Sequence, residues 1–237
     1  MHCSRSSLCL KNVCALFSGG KDSTYALHWA FLKGFFVRCL VTLKPEREDS
    51  WMFHFPAVDV TKLQARAIGL PLIFKKTLGE KDKELEDLKQ ALMEAKTRYG
   101  IYGLVTGALL SDYQRMNINM IAHQLGLKVF SPLWRKNQEE YMRSLVRHGF
   151  KFIITSISVY GLGRNFLGKE IDEQAVEEIL LRARKYGFNP AFEGGEAETL
   201  VLDAPLFKKK LRVKGSVVEL GGYMWRYRVE EAWLEDK

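Results

Sequence analysis

Cysteine is scarce in this chain. The four present, Cys3, Cys9, Cys14 and Cys39, all lie among the first 39 of 237 residues, and none forms a C-x-x-C pair. That spacing argues against zinc-ribbon and thiol redox chemistry. Cys14 and Cys39 fall in apolar stretches where a small buried thiol is the expected role, and the overall usage suits a reducing, cytoplasmic compartment. Apolar runs such as Phe35 to Leu43 and Phe152 to Val159 fall far short of the roughly 20 residues a bilayer-spanning helix needs, so no membrane partner is expected. The opening MHCSRSSLCLKNVC has no long apolar core and no small-residue cleavage site, which reads against secretion. Internal repeats and low-complexity linkers are missing too. Acidic residues are outnumbered, 28 against 36 basic ones, for a net charge of +8. Such a balance permits an anionic partner (a nucleotide, RNA or an acidic protein) without choosing among them, and the Lys208-Lys209-Lys210 run is too short to choose either.

The residues that are present describe an α/β protein. Val13 to Phe17 reads as a short buried strand that ends in a Gly-rich turn, and Ser23 to Leu32 as the helix after it. Strands follow at Phe36 to Leu43, Leu72 to Lys76, Leu104 to Thr106 and Lys128 to Phe130. Helices alternate with them at Val60 to Ile68, Glu80 to Tyr99 and Ser111 to Leu125. This rhythm predicts a doubly wound parallel sheet covered by helices on both faces, with ligands beyond the carboxyl ends of its strands. Past Leu133 the pattern changes: a helix over Gln138 to His148, a strand over Phe152 to Val159, and a helix over Asp172 to Tyr186 capped by Asp172 and closed by Gly187. Strands around Leu200 to Leu202, Leu211 to Val213 and Arg226 to Ala232 complete a second, smaller α+β domain. The expected domains are 12–135 and 136–237.

The turn after the first strand is SGGKDS, Ser18 to Ser23. It departs from the common lysine loop G-x-x-x-x-G-K-[ST], because Asp22 follows Gly20-Lys21 and Ala15 stands where the first glycine belongs. It still has the parts of an anion cradle: two glycines that let backbone N–H groups approach, hydroxyls on Ser18 and Ser23, and a helix N-terminus. The string closely resembles the SGG[KM]DS signature of the PP-loop ATP pyrophosphatases. That resemblance implies a HUP-like, adenine nucleotide alpha hydrolase-like fold and ATP as cosubstrate, cleaved between the α and β phosphates. It also implies phosphate contacts from Ser18, Gly19, Gly20, Lys21, Asp22 and Ser23, with Mg2+ on Asp22. Thr42 and Gly107, at two further strand ends, are candidates for the nucleotide site.

Four more segments resemble one branch of that superfamily, the diphthine–ammonia ligases: DSWMFHFP (Asp49 to Pro56), TGALLSDYQR (Thr106 to Arg115), SPLW (Ser131 to Trp134), and EGGEAET with LDAPLF (Glu193 to Thr199, Leu202 to Phe207). The likeness runs from Val13 to Phe207. It implies ATP-dependent amidation of diphthine on translation elongation factor 2 with ammonium, through an acyl adenylate, to give diphthamide, AMP and pyrophosphate. Lys21, Asp22, His54, Arg115, Glu196 and Glu198 become candidate catalytic residues. Ser111, Gln114, Arg115, Glu193, Gly194, Gly195, Glu196, Thr199 and Asp203 become candidates for holding the acceptor.

Each assignment has a chemical reason. His54 follows the second strand and can meet phosphate or carboxylate. Arg115 can neutralise charge on the leaving pyrophosphate or on the diphthine side chain. Glu193, Glu196 and Glu198 crowd around two glycines and repel one another unless a cation is shared, and both the trimethylammonium of diphthine and ammonium are cations. Adenylation needs positioning and charge neutralisation more than a covalent nucleophile, so the shortage of cysteine costs it nothing, and free ammonium is the expected nitrogen source. An RNA-modifying PP-loop enzyme that adenylates a tRNA base remains the alternative, and self-association through a helical face of the second domain stays open.

Overall fold

The computed structural model describes residues 11–45, 60–77, 81–108 and 112–237. They divide into two units. The first comprises the chain through Ser18, with Asp22–Arg66 and Leu70–Trp134; the second comprises Gly19–Lys21, Ala67–Gly69 and Arg135–Lys237.

The first unit alternates strand and helix: β1 (Asn12–Leu16), α1 (Lys21–Leu32), β2 (Phe36–Pro45), α2 (Thr61–Ile68), β3 (Leu72–Thr77), α3 (Lys81–Tyr99), β4 (Gly103–Val105), α4 (Asp112–Gln124) and β5 (Lys128–Phe130). The sheet order is β3-β2-β1-β4-β5, and each neighbouring pair is parallel. Strands buried on both faces read as unbroken apolar runs, which is why they were legible. Cys14 and Leu16 of β1 and Cys39, Val41 and Leu43 of β2 pack with Leu88, Leu92 and Ala95 of α3 and Ile118, Ile121 and Ala122 of α4. Their alternates Val13, Ala15 and Leu40 point the other way and are equally buried. The order reverses between β1 and β4, which makes the crevice beyond those two strand ends the ligand position of a doubly wound sheet.

The second unit contains α5 (Gln138–Arg147), β6 (Lys151–Ile157), a 3-10 turn at Arg164–Phe166, α6 (Glu173–Tyr186), β7 (Ala197–Asp203), β8 (Lys209–Gly221) and β9 (Met224–Asp236). The strands form an antiparallel sheet in the order β7-β6-β9-β8. Asn137 and Asp172 cap the two helices by accepting from Glu140 N and Ala175 N, and Gly187 closes α6 with φ 77°. Exposed ion pairs of Arg143 with Glu177 and Arg184 with Glu139 tie α5 to α6. Hydrogen bonds from Arg184 and Arg143 hold the Glu139 carboxyl below its ordinary range.

The last two strands are much longer than the sequence pattern predicts. They form a hairpin of 13-residue strands that turns at Gly221 and Gly222, both at positive φ. Register shifts at Lys214/Gly215 and Glu219/Gly221 interrupt the alternation, and most of the side chains are exposed. Cross-strand pairs such as Lys209 with Asp236 at 2.7 Å and Lys214 with Glu231 at 3.4 Å hold the ribbon where burial does not. Among the described residues, no helix is long and apolar enough to cross a membrane.

Candidate functional site

β1 delivers the chain at Leu16 into the Gly-rich turn. Gly19 sits at φ 82°, a left-handed conformation that glycine adopts without strain, and α1 begins two residues later. Within the first unit the serines at either side of the turn meet. Ser18 N donates to Ser23 Oγ at 3.3 Å, and the two hydroxyl oxygens lie 3.2 Å apart. Ser23 is buried in the first turn of α1, beside Asp22. N–H groups at a helix start attract anions, so this turn supplies hydroxyls, amides and the helix dipole at one place.

Gly107 leaves β4 next to that helix start. A Cβ at 107 would come within 2.6 Å of Asp22 C and Ser23 N. The close approach that glycine permits here is to the backbone of α1. Thr42, on β2, is also occupied: its buried Oγ1 donates to Phe17 O at 2.5 Å and holds the exit of β1. Arg115, exposed in the first turn of α4, lays its guanidinium 4.4 Å from the Trp134 ring centroid. The segments TGALLSDYQR and SPLW are therefore joined by a cation–π contact between residues 19 positions apart.

Within the second unit, Gly19–Lys21 runs along β7. Val201 N donates to Gly19 O at 3.0 Å, and Lys21 N donates to Thr199 Oγ1 at 3.1 Å. Lys21 is buried, with 2% of its surface exposed. Its Nζ donates to Ala191 O at 2.7 Å and stands 5.5 Å from the centre of the Phe192 ring. The acidic segment leads into the same strand. Glu196 turns inward: Oε1 accepts from Asn189 N at 3.0 Å, and Oε2 accepts from Gly194 N at 2.8 Å. Phe192 at φ 65° and Gly195 at φ 84° complete the tight turn.

The candidates thus fall into groups. Lys21, Thr199 and the Glu193–Glu198 segment are brought together along β7, with Glu198 paired in register to Ser156 of β6. Asp203 is not part of that group. It ends the strand five residues beyond Glu198, about 17 Å along an extended chain, where it pairs with Lys237 Nζ at 2.6 Å. His54 and Ser111, and the side chain of Gln114, lie outside the described residues. Asn189, Ala191 and Phe192 lie just before the acidic segment and belong to no motif that the sequence displays. Ala191 acts through its main-chain carbonyl, and the only sequence signal is the asparagine before Pro190, a common turn former.

Phosphate-bound Mg2+ takes one or two protein carboxylates and keeps several waters. Asp22, at the helix start, fits that modest requirement, and no group of three or more metal-binding side chains occurs among the described residues.

A doubly wound five-stranded parallel sheet with a Gly-rich turn at its order reversal defines a Rossmann-like α/β protein. Residues 11–129 match the diphthamide synthase N-terminal domain and residues 137–235 the diphthamide synthase C-terminal domain, so the chain belongs to the diphthamide synthase family. It is 34% identical to a diphthine–ammonia ligase of Bos taurus, over 87% of this chain and 84% of that protein. It is 35% identical to the Mus musculus protein of that name, over 86% and 83%. A Schizosaccharomyces pombe diphthine–ammonia ligase is 38% identical over 95% of this chain, which spans 40% of that longer protein. A solved structure titled as a predicted subunit of tRNA methyltransferase from Methanocaldococcus jannaschii gives a TM-score of 0.41 at 17% identity, covering 83% of this chain and 98% of that one. Likeness at that level says nothing of chemistry.

Proposed function

We infer that this chain is an ATP-dependent diphthine–ammonia ligase that converts diphthine to diphthamide with ammonium. The observation that carries the reading is membership of the diphthamide synthase family across both domains, joined to an SGGKDS turn at the head of α1. The finer reading is that the acceptor is cytoplasmic translation elongation factor 2. The turn of Ser18 to Ser23 holds the phosphates of ATP, Asp22 holds Mg2+, and the diphthine carboxylate attacks the α-phosphorus, expelling pyrophosphate and forming an acyl adenylate; ammonia then attacks the acyl carbon, and AMP and a proton leave to give the amide. Mg2+ when bound would neutralise phosphate charge; the chain's own task is to orient the carboxylate and keep water from the adenylate.

Glu193 and Glu198 are assigned to the trimethylammonium or ammonium cation as carboxylates of complementary charge; Glu196 has a different task, since both its oxygens accept backbone N–H groups of its own turn. Arg115 serves the pyrophosphate from the start of α4. Labelled ATP, ammonium and diphthine-bearing elongation factor 2 should together yield AMP and diphthamide. AMP formed only with tRNA, and not with the elongation factor, would overturn the reading in favour of an RNA-modifying enzyme.

A further inference from the structure

The Lys21 ammonium is held from a loop that is itself held by side chains. Its hydrogen-bond acceptor, Ala191 O, belongs to a turn organised around Asn189. Asn189 Oδ1 accepts from Ala191 N at 2.9 Å and from Glu193 N at 3.4 Å. Phe192 N donates back to Asn189 O at 3.0 Å, while Asn189 N is fixed by Glu196 Oε1. Glu196 reaches the far side of the turn as well, at Gly194 N, and its own carbonyl accepts from Ser158 N at 2.8 Å, anchoring the turn to the end of β6. The conformation is not one the backbone adopts unaided. Phe192 is a bulky residue in the left-handed region, a strain that persists only where the surroundings impose it, and it puts an aromatic ring beside the ammonium.

We propose that Asn189 is a positioning residue for Lys21. With Glu196 it fixes the Ala191 carbonyl that accepts from the Lys21 ammonium, and so sets where that ammonium stands when nucleotide phosphates bind. This rests on the reading of SGGKDS as the ATP turn. It also assigns the acidic segment a task distinct from cation recognition: Glu196 is a buttress for the loop that orients the phosphate-binding lysine. A long, flexible lysine gives up much rotamer freedom when it is held, and a carbonyl aimed in advance lowers the part of that cost met on binding.

The test is a double-mutant cycle read by ATP binding in calorimetry, with melting temperature measured alongside. Asn189→Ala should weaken ATP binding roughly tenfold, the consequence of losing one well-placed polar contact. Asn189→Asp, which keeps the turn acceptor, should bind within about threefold of the parent. In a Lys21→Met background, Asn189→Ala should have no further effect, because the group it positions is gone. Equal losses in both backgrounds, or unchanged binding by Asn189→Ala, would overturn the proposal.

Should Asn189→Ala fail to fold, Gly194→Ala runs the same cycle. A Cβ at 194 meets Glu196 Oε1 at 2.8 Å and displaces that carboxylate, at an exposed position whose φ is not positive. Independence from Lys21 in that cycle would also overturn the proposal. The coupling is read without any acceptor. A parent protein that shows it yet forms no AMP with diphthine-bearing elongation factor 2 would therefore sink the ligase reading and leave the positioning role standing.

Discussion

Gly107 and Asp22 are in backbone contact: a Cβ on residue 107 would stand 2.6 Å from the Asp22 carbonyl carbon, with Ser23 N equally near. Neither atom can swing aside as a side-chain tip can, so the substituent must push β4 and the start of α1 apart. Gly107→Ala should destabilise the protein by about 1–3 kcal/mol and impair ATP binding by more than its effect on folding explains. Thermal melts and an ATP titration at a temperature where the variant is folded check both parts.

Thr42 is tied to the same end of the sheet by its hydroxyl bond to Phe17 O. Thr42→Val keeps the shape but removes the donor and leaves a buried carbonyl short of a partner, at a cost of about 1–2 kcal/mol. Thr42→Ser should retain most of the stability. Urea denaturation of the two variants side by side separates the hydrogen bond from the loss of volume.

The two acidic residues with different geometry should fail differently. Glu198→Gln should lower kcat/KM for the diphthine acceptor by roughly ten- to hundredfold, the size of a lost charge-assisted contact, with ATP binding intact. Glu196→Gln places an amide donor against a backbone N–H that now bonds a carboxylate, so its defect should show in ATP binding first. Identical profiles for the two variants would refute the distinction.

Burial pushes the Cys39 thiol up to about 12, and Cys14, its register partner on β1, is also raised by burial. Unfolded thiols titrate near about 8.5. Between those values the unfolded chain has lost its protons while the native chain keeps them, so stability is full below about 8.5 and falls as pH rises toward 12. The melting temperature should decline over that alkaline window, and Cys39→Ala should flatten the slope. Native Cys14 and Cys39 should also resist alkylation at pH 8, measured by mass spectrometry against the urea-unfolded chain.

Asp172 provides a control remote from the turn. Its carboxylate caps α6 through Ala175 N at 2.8 Å, and Asp172→Ala should cost about 1 kcal/mol of stability with kcat and KM unchanged. A change in KM for ATP would show that α6 influences the nucleotide turn.

The parallel sheet was legible because burial on both faces writes each strand as an apolar run and each covering helix as a 3.6-residue stripe. β5 at Lys128–Phe130 is located to the residue on that basis, and the caps at Asp172 and Gly187 fall where their backbone chemistry demands. The hairpin of β8 and β9 was read too short for a matching reason. A ribbon exposed on both faces and broken by bulges carries no period for a pattern to detect.

The site divides along the same line. Chain-local chemistry, glycines and hydroxyls before a helix, was enough to mark Ser18 to Ser23 as an anion turn and Glu193 to Glu198 as a segment needing an explanation. Sequence by itself determined which residue types were available and in what order. Only the tertiary structure decided what each one touches. Gly107 serves helix packing, Thr42 braces a strand exit, Asp203 pairs with Lys237, and Glu196 supports the turn that holds Lys21. The physical reason is that these contacts join positions tens to more than a hundred residues apart, many through main-chain atoms, and a carbonyl such as that of Ala191 has the same chemistry in every residue until the fold aims it.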